Sequence, residues 1–116
     1  MNVLIRFLAP DFAVAPQLQP EHMAQLAAQG FRSVVNNRLE HEPGQPPQEA
    51  MREAAEAAGL EYEWQPVHPA MISTQDVSQF ADIIDRLTRP TLAFCRSGTR
   101  SSTLFQAAAG TRSARN

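Results

Sequence analysis

The sequence predicts a single α/β domain whose central strands run parallel and whose helices cover both faces of the sheet. Three observations carry this. A length of 116 residues suits one hydrophobic core. Short apolar runs alternate with helical segments, the pattern of a parallel sheet with crossover helices. The last apolar run, "TLAF", leads into a lone cysteine, a glycine and an arginine just ahead of a helix. Parallel sheets bind ligands at such carboxyl ends.

The elements follow in order. Val3 to Leu8 and Phe12 to Ala15 are apolar runs split by "APD", and they read as two edge strands joined by a turn. "PEHMAQLAAQG" opens on Pro20, closes on Gly30 and aligns Met23, Leu26 and Ala27 on one face, which makes a helix with His22 on its polar side. "FRSVVNN" is a buried β-branched strand ending in Asn36 and Asn37, and the prolines of "RLEHEPGQPP" demand a loop. "QEAMREAAEAAG" is a second helix, and the alternating "LEYEWQPV" is a strand stopped by proline. Ser73, with Asp76 at the third helical position, opens a third helix that buries Val77, Phe80, Ala81 and Ile84. "PTLAF" is the last strand and Ser101 to Ala109 the last helix. The domain is expected over residues 1–110, with 111–116 a frayed polar tail.

Composition removes several function classes. A net charge of −2 offers no bulk attraction to nucleic acid or an anionic membrane, so basic character must be local. One cysteine excludes an internal disulfide framework and a multi-cysteine zinc site, and it fits a reducing cytosol. His22, His41 and His68 are scattered, so no metal site and no cofactor is expected. Arg6 and Asp11 interrupt the apolar N-terminal stretch, against a secretory signal, and no run approaches the ~20 apolar residues of a membrane span. A cytoplasmic protein is expected; its oligomeric state is open.

The loop "CRSGTRSS" concentrates the chemistry. Cys95 ends a strand. Beyond it, backbone N–H groups can curl inward and join those of the helix N-terminus, whose dipole favours both a bound anion and a thiolate. Gly98 permits a positive φ there. Arg100 can fork two N–H bonds to an oxyanion, and Arg96 adds a second positive charge. Ser97, Gly98 and Thr99 complete the cradle, and a hydroxyl from Ser101 or Ser102 can stabilise the sulfur or cap the helix. Such surroundings favour the thiolate. The expected partner is a small anion, either a phosphoester or a thiosulfate-like molecule.

These residues resemble a family. The loop is similar to that of cysteine-dependent phosphatases of dual-specificity type, and equally to the rhodanese loop. The whole chain more closely resembles small bacterial dual-specificity-phosphatase-like proteins, described as phosphatases or sulfur transferases and in some cases fused to β-lactamase-like hydrolases. "APQLQPE", "GFRSVVNNR", "EPGQP", "QPV" and "CRSGTRSS" carry that resemblance. It implies a phosphatase-like α/β fold, Cys95 as nucleophile and Arg100 as anion clamp. It also implies more helix after Phe105 than this sequence supplies.

Two features separate the possible reactions. Tyrosine-phosphatase-type loops place five residues between Cys and Arg; here there are four, Arg96 to Thr99, as in rhodaneses. Ester hydrolysis also needs a general acid, which dual-specificity phosphatases supply from an Asp about thirty residues before the cysteine. The matching stretch, "PVHPAMISTQD", offers only His68 and Asp76, and Asp76 suits a helix cap. His68 is therefore the candidate acid, alongside Cys95, Arg100 and Ser101. Sulfur transfer through a Cys95 persulfide needs no acid. Asn37 and Arg38 end a strand at the same edge and either line the pocket or merely turn the chain. Trp64 is expected in the core. Phosphoester hydrolysis leads, sulfur transfer follows, and a non-catalytic anion-binding or interaction module is the third reading.

Overall fold

The computed structural model describes residues 3–115, with side chains through residue 110. Nine elements form: β1 (Arg6–Ala9), β2 (Phe12–Ala15), α1 (His22–Ala28), β3 (Ser33–Asn36), α2 (Gln48–Ala57), β4 (Glu61–Trp64), α3 (Thr74–Arg86), β5 (Thr91–Phe94) and α4 (Thr99–Arg115). The strands make one sheet in the order β1-β2-β5-β3-β4. β1 is antiparallel to β2, and all other pairs are parallel. β5 lies in the middle, pairing Leu92 with both Ala13 and Val34.

The period-two alternation of the strands divides the core. Leu92 and Phe94 join Ala13, Val34, Met23, Leu26 and Met51 under α1 and α2. Ala93 joins Phe12, Val14, Val35, Phe80, Ile84 and Leu104 under α3 and α4. Phe105 of α4 stacks on Phe12, ring centroids 4.0 Å apart. Both faces are covered, as expected for a parallel sheet. None of the described helices is long and apolar enough to cross a membrane.

Four expectations need correction. β2 is not an edge strand: all four of its residues are buried, and it pairs with β1 on one side and β5 on the other. β1 alone forms that edge, displaced from Val3–Leu8 to Arg6–Ala9, with a register shift between Phe7 and Ala9. α4 begins at Thr99 rather than Ser101, because Gly98 O already accepts the Ser102 N–H at 3.0 Å. His22 is buried, not on a polar face. The turn before α1 folds back so that His22 N–H donates to Gln19 O while Gln19 N–H donates to the ring Nδ1 at 2.9 Å.

The cap of α3 is as expected. Ser73 Oγ accepts the Asp76 N–H and the Asp76 carboxylate accepts the Ser73 N–H, each at 3.0 Å. The tail expected to fray, 111–116, lies outside the residues whose side chains are described.

Candidate active site

β5 delivers Cys95 to the carboxyl edge of the sheet, where its side chain is 1% exposed. The chain then reverses through Arg96, Ser97 and Gly98 into α4. Gly98 has φ +91°, and the ideal Cβ of any other residue there would sit 3.5 Å from the Ala15 carbonyl. That conformation turns the Gly98 N–H onto Cys95 Sγ at 3.1 Å. Ser97 Oγ donates to Thr99 Oγ1 at 3.1 Å. A cleft of about 170 Å³ opens over the loop, lined by Cys95, Ser97, Thr99, Arg100, Pro69 and Ile72 among others.

Arg100, in the first turn of α4, points inward and is 7% exposed. Its Nη1 donates to Asn37 O (2.9 Å), Val67 O (3.0 Å) and Glu42 Oε2 (2.8 Å), and Nη2 donates to Glu42 Oε1 (3.2 Å). Glu42 thus grips the end of the guanidinium. The buried Nε–H has no partner among the described residues. Nε and the adjacent Nη2 hydrogen share one edge of the plane, the side-on fork that binds an oxyanion through two parallel bonds.

Glu42 is the residue that sequence reasoning missed. It lies in the proline-rich loop after β3 and serves two arginines. Arg38, 2% exposed, donates from Nε to Glu42 Oε1 at 3.0 Å, and also to Gln17 Oε1 and Pro43 O. Leu39 N–H donates to Glu42 Oε2 at 2.6 Å. Burial pushes the Glu42 carboxyl up, but the hydrogen bonds from Arg100, Leu39 and Arg38 and the charge of Arg100 outweigh it and hold the pKa at about 2. The available signal was the spacing Arg38…Glu42 inside a loop with no other reason to be acidic.

The remaining candidates take different places. Asn37 and Arg38 do not line the cleft; they brace it. Ser101, fully buried, donates its hydroxyl to Asn37 Oδ1 at 2.8 Å, while Asn37 Nδ2 donates to Gln65 O, so α4 is tied to β3 and β4. His68 stands on the loop whose Pro69 and Ile72 rim the cleft, but it is exposed and absent from the lining. Its Nδ1 accepts the Ala70 N–H at 3.1 Å. Asp76 is committed to the α3 cap. Trp64 is only partly buried, its Nε1–H bonded to Arg38 O at 2.7 Å. Arg96 is exposed and does not line the cleft over Cys95.

The strand, the Cys-x4-Arg turn and the following helix sit at the carboxyl edge of a five-stranded α/β sheet, and the solved structures on which the chain superposes share the protein-tyrosine and dual-specificity phosphatase fold. Residues 4–112 match the family model for the phosphatase-like domain of beta-lactamase hydrolase-like proteins, and the chain belongs to that family. It is 37% identical over 93 residues to a beta-lactamase hydrolase-like protein of Agrobacterium fabrum, an alignment covering 79% of this chain and 22% of that protein. Among solved structures, a Neisseria meningitidis protein provisionally described as a phosphatase superposes with a TM-score of 0.78 at 33% identity, over 85% of this chain and 71% of that one. A Shewanella putrefaciens protein with the same provisional description gives 0.82 at 20% identity, over 90% and 68%, which bears on the fold alone.

Proposed function

We propose that this chain is a cysteine-dependent phosphatase domain acting on a small phosphoester. The carrying observation is the buried Arg100 Nε–H, without a partner among the described residues, on a side chain that lines the same cleft as Cys95. Leaving a buried donor without a partner is unfavourable, and a bound phosphoryl group removes that penalty. In the proposed reaction Cys95 Sγ attacks phosphorus. The S–P bond forms as the P–O bond to the leaving group breaks, and the leaving oxygen departs with the electron pair. Water then attacks the phospho-cysteine, releasing inorganic phosphate and restoring the sulfur. Gly98 N–H, aimed at Sγ, supports the sulfur as an anion, and Arg100 with the helix N-terminus supports the charge on the transferring phosphoryl oxygens.

The leaving group decides the substrate. No carboxylic acid lines the cleft. For His68 to give a proton as imidazolium, both ring nitrogens must carry hydrogen, which breaks the bond from Ala70 N–H to Nδ1. Esters whose leaving group departs without protonation, such as aryl phosphates, are therefore the expected substrates. The same absence, with the four-residue loop, favours the second reading, sulfur transfer through a Cys95 persulfide.

Incubation with an aryl phosphate, and separately with thiosulfate plus cyanide, tests the two. The expected result is phosphate release that Cys95→Ser abolishes, with phosphorylated Cys95 trapped by acid quench and identified by mass spectrometry. A persulfide on Cys95 together with thiocyanate formation would replace the phosphatase reading. Neither product, with phosphate still bound, would leave an anion-binding module.

A further inference from the structure

All ten basic side chains other than histidine are arginines, and those with described side chains fall into two groups. Arg38 and Arg100 share Glu42; Arg52 pairs with Glu49, Arg86 with Glu63 and Arg89 with Asp11. Arg32 donates to the Phe31 carbonyl. Arg6 and Arg96 have no polar partner among the described residues, and both border the Cys95 loop. Arg96 belongs to it. Arg6, on β1, lines a second cleft of about 230 Å³ together with Val14, Pro16, Ser97 and Gly98. Ser97 borders both this cleft and the one over Cys95. No carboxylate lines either one.

A chain with net charge −2 that ties its other described arginines elsewhere has left positive charge uncompensated beside its anion loop. We infer that the substrate carries a second oxyanion, phosphate or carboxylate, which extends past Ser97 to Arg6, with Arg96 adding to the field. This rests on the phosphatase reading and narrows it: the reacting phosphoryl group sits on the Arg100 fork, and the second anion selects the molecule. The planar guanidinium of Arg6 suits either oxyanion, and its exposure makes the contact salt-sensitive.

Isothermal titration of the intact protein at low ionic strength tests this with non-hydrolysable probes. These are methylphosphonate, a series of α,ω-alkylene bisphosphonates of increasing linker length, and the matching phosphonocarboxylates. One linker length should bind about fivefold to tenfold more tightly than methylphosphonate, as a single charge-assisted contact at an exposed arginine provides. Arg6→Gln should lower that preference to near unity, and Arg6→Lys should restore part of it. Whether bisphosphonate or phosphonocarboxylate gains more identifies the second group. Methylphosphonate binding without a gain at any linker length, or a gain that survives Arg6→Gln, overturns the Arg6 site and leaves the phosphatase reading intact. Failure of methylphosphonate itself to bind overturns both.

Discussion

The two flanks of the Cys95 loop use the same residue type in opposite ways. Towards β3, Arg100 and Arg38 are almost wholly buried and share Glu42, and each guanidinium is held by several acceptors. Arg6, on β1, and Arg96, within the loop, are exposed and have no polar partner among the described residues. The buried flank is fixed before any ligand arrives, so an anion there meets donors already oriented and costs little reorganisation. The open flank supplies charge without fixed geometry, which suits discrimination more than chemistry. An arginine's contribution at such a site is therefore set by the acceptors that hold its other hydrogens.

Substitution on the fixed flank should have the largest effect. Arg100→Lys leaves a point charge that can neither fork an oxyanion nor satisfy Glu42 end-on, so aryl phosphate hydrolysis (kcat/KM) should fall about 10²–10³-fold. A loss under tenfold would mean that the prearranged fork is no better than the open flank.

Next comes the brace itself. Glu42→Gln removes the charge shared by two buried arginines and should cost about 2–3 kcal/mol of stability in urea denaturation. The same variant carries a pH signature. The folded pKa of Glu42, about 2, lies below its ordinary 4.5. Its stabilisation is therefore fully present above 4.5 and lost as pH falls from there through about 2. Wild-type stability should drop across that window more steeply than that of Glu42→Gln.

A smaller effect is expected at the turn between the flanks. Gly98→Ala meets only ordinary contacts at the Ala15 carbonyl, so the cost is the positive φ, about 1 kcal/mol in the same denaturation experiment. Smallest of all, His68→Ala should change hydrolysis of an aryl ester with an acidic phenol by less than about twofold. A drop of about a hundredfold with an alkyl ester would assign His68 the proton after all.

The fold was legible because each element is locally consistent: apolar strands alternate with bounded helices, and the Ser73–Asp76 cap announces itself in four residues. Cys95, Gly98 and Arg100 were legible for the same reason, since they are contiguous and their chemistry is shared by few other arrangements. Glu42 was not, because its role depends on a loop of 58 residues' separation closing on Arg100. Long-range ion pairs leave no periodic trace. His22 was misjudged on a similar ground: a helical wheel assigns polar residues outward, whereas the Gln19 N–H gave its ring a partner inside. The position of β2 followed from pairing with β5, which no local pattern states.

The bond from Trp64 Nε1–H to Arg38 O gives the molecule an optical reporter. Trp64 is the chain's only tryptophan, and its indole lines the same hollow as Glu42. Its fluorescence therefore reads the loop that fixes Arg100, with no label and no background from a second indole. Anion titrations that quench or shift that emission follow the brace, while those that leave it untouched follow the open flank, so one cuvette separates the two.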